Sequence, residues 1–192
     1  DMKSIIVSQQ ELFFGSITDH KSICEIDLTE LRDIIMYNYL HKNYKFKTNK
    51  EDIKVTHCQA LTQFDMYIRD AINYNVYENF NISRRITQKD RFGGVMLPMQ
   101  TSQNTERVDR LNYVDSPDYT CLLCVDVKPG SSKLIVEYDD MRRRGRTWNF
   151  PLESDAYFIF PSVCRYHISQ NISDQMNIFF TTTYIQHKHK IR

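Results

Sequence analysis

Glycine and proline are scarce in this sequence, with five of each in 192 residues. That shortage excludes a collagen-like repeat and a Gly/Pro-rich disordered chain. No run approaches the ~18 consecutive apolar residues of a membrane-spanning helix. An excess of charge of one sign is missing too: 25 Lys and Arg face 24 Asp and Glu, for a formal net charge of +1. Global attraction to nucleic acid or to an anionic membrane is therefore absent. The five cysteines are an odd number, and no secretory leader pattern is visible, so reduced thiols in an intracellular setting are expected. Phosphate loops, Rossmann glycine motifs, Ser-His-Asp arrangements and paired-carboxylate glycosidase sites find no matching pattern.

What the sequence does have is 12 Tyr and 11 Phe, with 41% hydrophobic and 26% charged residues. This is globular composition, long enough for one domain with its own core. Ile5 to Phe14 reads as a lead-in strand that Gly15 and Ser16 break. Asp27 and Glu30 form a capping box ahead of Leu28, Leu31, Ile34, Ile35 and Leu40, which share one helical stripe. Leu61, Phe64, Ile68, Ile72 and Val76 repeat at helical spacing and predict a second helix over about 58–79.

The pattern changes near residue 93. Short β-branched and aromatic runs separated by turn signals predict strands at Val95–Met99, Arg110–Val114, Tyr119–Val127, Lys133–Tyr138, Arg146–Leu152, Ala156–Phe160, Tyr166–Ser169 and Asn177–Ile185. Gly93-Gly94 reads as a hinge or tight turn, and Lys128-Pro129-Gly130-Ser131-Ser132 as a turn. The expectation is a single α+β domain over 1–192. Its lead-in strand and two helices (1–92) would flank a β-rich jelly-roll core (93–192). Cys121 and Cys124, three apart on one strand, would face opposite sides and so read as buried structural thiols, not as half a zinc site.

Phe158-Ile159-Phe160-Pro161-Ser162, His167, Asn171, Ser173 and the apolar Ile178-Phe179-Phe180 form a phrase that resembles a known family. That family is the Fe(II)/2-oxoglutarate-dependent oxygenases, which fold as a double-stranded β-helix. The nearest branch is the prolyl-hydroxylase-like proteins of tailed phages. Lys133–Asp139, Tyr119–Val127 and Glu11–Phe14 resemble other segments of the same fold. The resemblance implies a 2-His-1-carboxylate iron site and a basic residue clamping the distal carboxylate of 2-oxoglutarate. His167 matches the late histidine and Asp115 the carboxylate. Tyr113, however, stands where the first histidine belongs, and Gln175, Met176 and Asn177 stand where the clamp belongs. In a working enzyme, the resemblance implies that Lys133 would be the substitute clamp, reaching from a different strand as lysine does in some members of the superfamily.

With two of four groups missing, the expectation is a non-catalytic oxygenase-like jelly roll that needs neither cofactor. It would serve as a structural or assembly component, in a virion or the host cytoplasm, with virion proteins or further copies of itself as partners. The alternative is a working Fe(II)/2-oxoglutarate dioxygenase that hydroxylates a protein or small-molecule side chain. Trp148 and the basic cluster Arg142, Arg143, Arg144 and Arg146 are the first candidates for contact, since Trp and Arg dominate interface hot spots, and Trp148 reads equally as the core residue of its strand.

Overall fold

The structure is a computed structural model. It describes residues 10–20, 27–46, 53–54, 63–66, 68–70, 72, 85–101, 116–140 and 143–187. Its strands are β1 (Phe13–Ser16), β2 (Ile53–Lys54), β3 (Arg85–Met96), β4 (Tyr119–Asp126), β5 (Lys133–Tyr138), β6 (Arg146–Pro151), β7 (Ala156–Pro161), β8 (Arg165–Ile168) and β9 (Asn177–His187). They form a six-stranded major sheet, β1-β7-β4-β9-β3-β2, and a three-stranded minor sheet, β6-β5-β8. All described pairings are antiparallel. This is the expected α+β jelly roll. Among the described residues no helix is long and apolar enough to cross a membrane.

The major sheet is buried on both faces, which is why β4 and β7 are apolar nearly throughout. Cys121, Leu123, Val125, Tyr157, Ile159, Phe180 and Tyr184 face the helices. Leu122, Cys124, Phe158, Phe160 and Phe179, at the alternate positions, face the minor sheet. The minor sheet completes that second core with Leu134, Val136 and Ile168. Cys121 and Cys124 thus lie on opposite sides, buried and unbridged, as their spacing predicts.

Helix α1 (Thr29–Phe46) starts where Asp27 Oδ1 accepts the Thr29 amide at 2.9 Å, a cap that lowers the Asp27 pKa. Leu31 and Ile35 bury its inner face. The second helix is described at residues 63–66, 68–70 and 72, with Phe64, Ile68 and Ile72 fully buried. Between this helix and the sheet lies a polar contact: Asp65, 2% exposed, pairs with Arg91 and accepts the Tyr184 hydroxyl at 2.7 Å.

Two expectations about chain breaks are corrected. Gly93-Gly94 is no hinge: both residues lie inside β3, a 12-residue strand that starts eight residues before position 93. A Cβ on Gly93 would stand 2.7 Å from Ile35 Cγ1, so glycine is there to let α1 lie close on the sheet. Likewise Gly15 and Ser16 are strand residues paired with Tyr157 and Ala156. The Gly130 turn forms as predicted, with φ of +76°. The expected strand at Arg110–Val114 lies outside the described residues.

Candidate functional site

An iron centre of the expected kind needs imidazole and carboxylate groups on the inner faces of the two sheets. Strand parity decides which side chains reach that space. On β8, Ile168 is buried in the inter-sheet core and Tyr166 packs against it. His167 lies between them and so projects from the opposite, outer face. The cross-strand partners agree. Ile168 and Tyr166 oppose the buried Leu134 and Val136, whereas His167 opposes Ile135, which belongs to neither core. His167 is therefore not placed to bind a metal between the sheets, and Tyr166 and Ile168 hold the inward positions.

The same reasoning corrects the substitute clamp. Lys133 is exposed and shares the outward parity of Ile135, with Leu134 and Val136 turned in. Asp115 lies outside the described residues, as do the side chains of Tyr113 and His57.

The inward position at the start of β9 belongs to Asn177, fully buried and next but one to Phe179. Its Nδ2 donates to Ser131 Oγ at 2.8 Å and to Ser132 Oγ at 3.4 Å. Its Oδ1 accepts the Lys128 amide at 3.2 Å. Ser132 Oγ in turn contacts Met96 Sδ at 3.8 Å. Asn177 thus ties the β4–β5 turn to β9, and both ends of its amide are engaged. Asn171, also fully buried, does the same for the neighbouring loops: its Nδ2 donates to Gln175 O at 2.7 Å, and its Oδ1 accepts the Ser173 amide at 3.0 Å. Met99, held at φ of +65°, donates its amide to Asn171 O at 2.8 Å. Asn171 and Ser173 of the family-like phrase are therefore turn chemistry in the segment that leads from β8 to β9.

The rest of the interior is packing. Phe158 stacks at a tilt on Phe150, and Phe160 meets Tyr166 edge-on, with centroids 5.4 and 4.9 Å apart. Trp148, a candidate for either an interface or the core, is half-buried and stacks on Tyr138 at 4.0 Å, both rings packing against the inter-sheet core. Burial pushes the Cys124 thiol well above its ordinary pKa, so it is held as a neutral thiol and not as a thiolate ligand. Among the described residues, no three of His, Cys, Asp and Glu gather into a metal-binding group. The described inward side chains do not fit an Fe(II) ion and offer no cation for a dicarboxylate.

The basic loop between β5 and β6 is ordered by acids. Arg146 Nη1 meets Asp140 Oδ2 at 2.6 Å, and Asp139 Oδ1 accepts the Gly145 amide at 3.1 Å. Arg143, Arg144 and Arg146 are exposed, and Arg142 lies outside the described residues.

Neither a protein-family model nor a curated protein sequence matches the chain. Solved structures do. The prolyl hydroxylase from Trichoplax adhaerens, in complex with a hypoxia inducible factor peptide, superposes with a TM-score of 0.62 at 12% identity, over 91% of this chain and 83% of that one. A Pseudomonas putida prolyl-4-hydroxylase gives 0.59 at 11% identity, over 93% and 89%. The viral collagen prolyl hydroxylase of Paramecium Bursaria Chlorella virus-1 gives 0.53 at 9% identity, over 79% and 87%. At these identities the likeness concerns the fold, and it spans nearly the whole chain: this protein has the double-stranded β-helix fold of the Fe(II)/2-oxoglutarate oxygenases.

Proposed function

We propose that this chain keeps the oxygenase fold as a scaffold without its chemistry, and acts as a structural or assembly component. One observation carries the reading: at the inward positions of β8 and β9, where the resemblance calls for a metal-binding histidine and a basic clamp, stand Tyr166, Ile168 and the hydrogen-bonded Asn177. A jelly roll keeps its fold when such positions become packing, because the fold depends on apolar faces and not on a bound ion. The tailed-phage virion is the setting we propose, on the strength of the sequence resemblance. Arg143 and Arg144, exposed on the β5–β6 loop, are the proposed contacts with a partner or a second copy. Trp148 is assigned to the core.

The test is anaerobic titration with Fe(II), with and without 2-oxoglutarate, followed by the visible charge-transfer band and by succinate formation. The scaffold reading expects neither signal, and expects light scattering to show self-association or a stable complex with virion proteins that weakens in R143A/R144A. A band or turnover in the parent protein would overturn it and establish the dioxygenase alternative. A signal that survives in His167→Ala would then direct the search for ligands to residues outside β8.

A further inference from the structure

A cleft of about 360 Å³ opens at the rim of the minor sheet, where β5 ends and β6 and β8 begin. Gln10, Glu137, Asp139, Gly145, Cys164 and Arg165 are among its lining residues. Glu137 and Arg165 are direct partners in the β5–β8 register, so their side chains leave the same face of the sheet. Opposite charges so placed commonly join in a cross-strand ion pair. Here they do not: among the described residues, neither side chain forms an ion pair or a hydrogen bond. The side chains of one Glu and one Arg thus rise from directly opposed residues on the wall of a concave space, each with its capacity unused among the described residues. Asp139 adds a second carboxylate, oriented by the Gly145 amide it accepts at 3.1 Å. Gln10 adds an amide, and Val163 supplies apolar surface.

We infer that this rim cleft binds a small zwitterion of the α-amino acid class, its ammonium on Glu137 and its carboxylate on Arg165. The two charges of an α-amino acid sit on one carbon, which suits protein groups on directly opposed residues. Guanidinium meets carboxylate through two parallel hydrogen bonds, which sets the ligand's orientation. The volume lies at the small end of ligand sites and leaves space for a side chain beyond the α-carbon. The site is on the outer rim and uses no inward-facing residue of β8 or β9, so the inference is independent of the proposed function.

The test is isothermal titration calorimetry with L-leucine as probe, beside N-acetyl-L-leucine, which lacks the ammonium, and L-leucinamide, which lacks the carboxylate. Saturable binding of L-leucine is expected, weakened about tenfold or more by either blocked analogue, and similarly by E137Q and by R165Q. Circular dichroism of the variants checks that they fold. The blocked analogues make the comparison on the parent protein even if a variant does not. No saturable heat up to about 10 mM L-leucine, or binding that the analogues match, would overturn the assignment.

Discussion

Replacing Asn177 separates a side chain kept for a ligand from one kept for the fold. In the parent its amide makes contacts of 2.8 and 3.4 Å to Ser131 and Ser132 and accepts the Lys128 amide at 3.2 Å. Asn177→Ala deletes all three from a fully buried site. Two well-formed bonds are worth about 1 kcal/mol each net, and the Lys128 amide left without its acceptor adds roughly 1 kcal/mol or more. The expected loss is about 2–4 kcal/mol, a large part of the ~5–15 kcal/mol that holds a domain together. Urea unfolding should show a lower midpoint at unchanged slope. Ser131→Ala combined with Asn177→Ala should be less damaging than the sum of the two, by about 1 kcal/mol, because both remove the same bond. A single variant within about 0.5 kcal/mol of the parent would refute the reasoning, since it would mean that the amide is spare in the folded chain and free to serve a ligand.

Three further predictions follow from other parts of the fold. Asp65→Ala should cost about 3–5 kcal/mol in chemical denaturation, because it removes the buried carboxylate that pairs with Arg91 and accepts the Tyr184 hydroxyl beneath the second helix; a loss under about 1 kcal/mol would show that the contact contributes little. Gly93→Ala should cost about 1–3 kcal/mol through the 2.7 Å approach to Ile35 Cγ1. In an Ile35→Ala background the added methyl should be tolerated or favourable, and equal costs in both backgrounds would argue against the clash. Burial raises the Asp155 pKa, so the folded state holds its proton more tightly than the unfolded chain, and stability falls as pH rises through the carboxylate range. Asp155→Asn should therefore raise the melting temperature at pH 7 and lose that advantage toward pH 3 (about one unit below the ordinary carboxylate value), whereas a gain that persists in acid would point to another cause.

The order of elements and the two-sheet architecture are legible in the sequence, because apolar runs and turn residues state them directly. Lys133–Tyr138 and the Gly130 turn are found where they are predicted. The start of β3 is not legible. Arg85 to Phe92 is mostly polar and sits toward the sheet's edge, paired to β9 through a register shift between Gln88 and Arg91 that breaks simple alternation. The glycine pair misleads because glycine serves close approach as readily as turning, and only the position of Ile35 distinguishes the two. His167 misleads for a different reason. A phrase matched by its spacing fixes a residue only to within one place, and one place in a strand is the difference between the two faces. Parity held the correction: Cys164, Tyr166 and Ile168 alternate with Arg165 and His167, and the less polar series is the one that turns inward.

Burial of the major sheet on both faces has a consequence for synthesis as well as for the native state. A strand with no solvent face carries no polar series to discourage pairing with the wrong neighbour. Thr120–Val125 and Tyr157–Phe160 are such segments, low in charge and rich in β-formers, and they are hazards whenever they are exposed on a ribosome or in a refolding tube. The first is bracketed by Asp118 on one side and by Asp126 and Lys128-Pro129 on the other, and the second by Glu153 and Asp155 before and by Pro161 after. These flanking charges and prolines act as gatekeepers. Asp118→Asn, which keeps an oxygen for the Gln186 amide that Asp118 accepts at 2.7 Å, combined with Asp126→Asn would leave the folded protein nearly unchanged and lower its soluble yield.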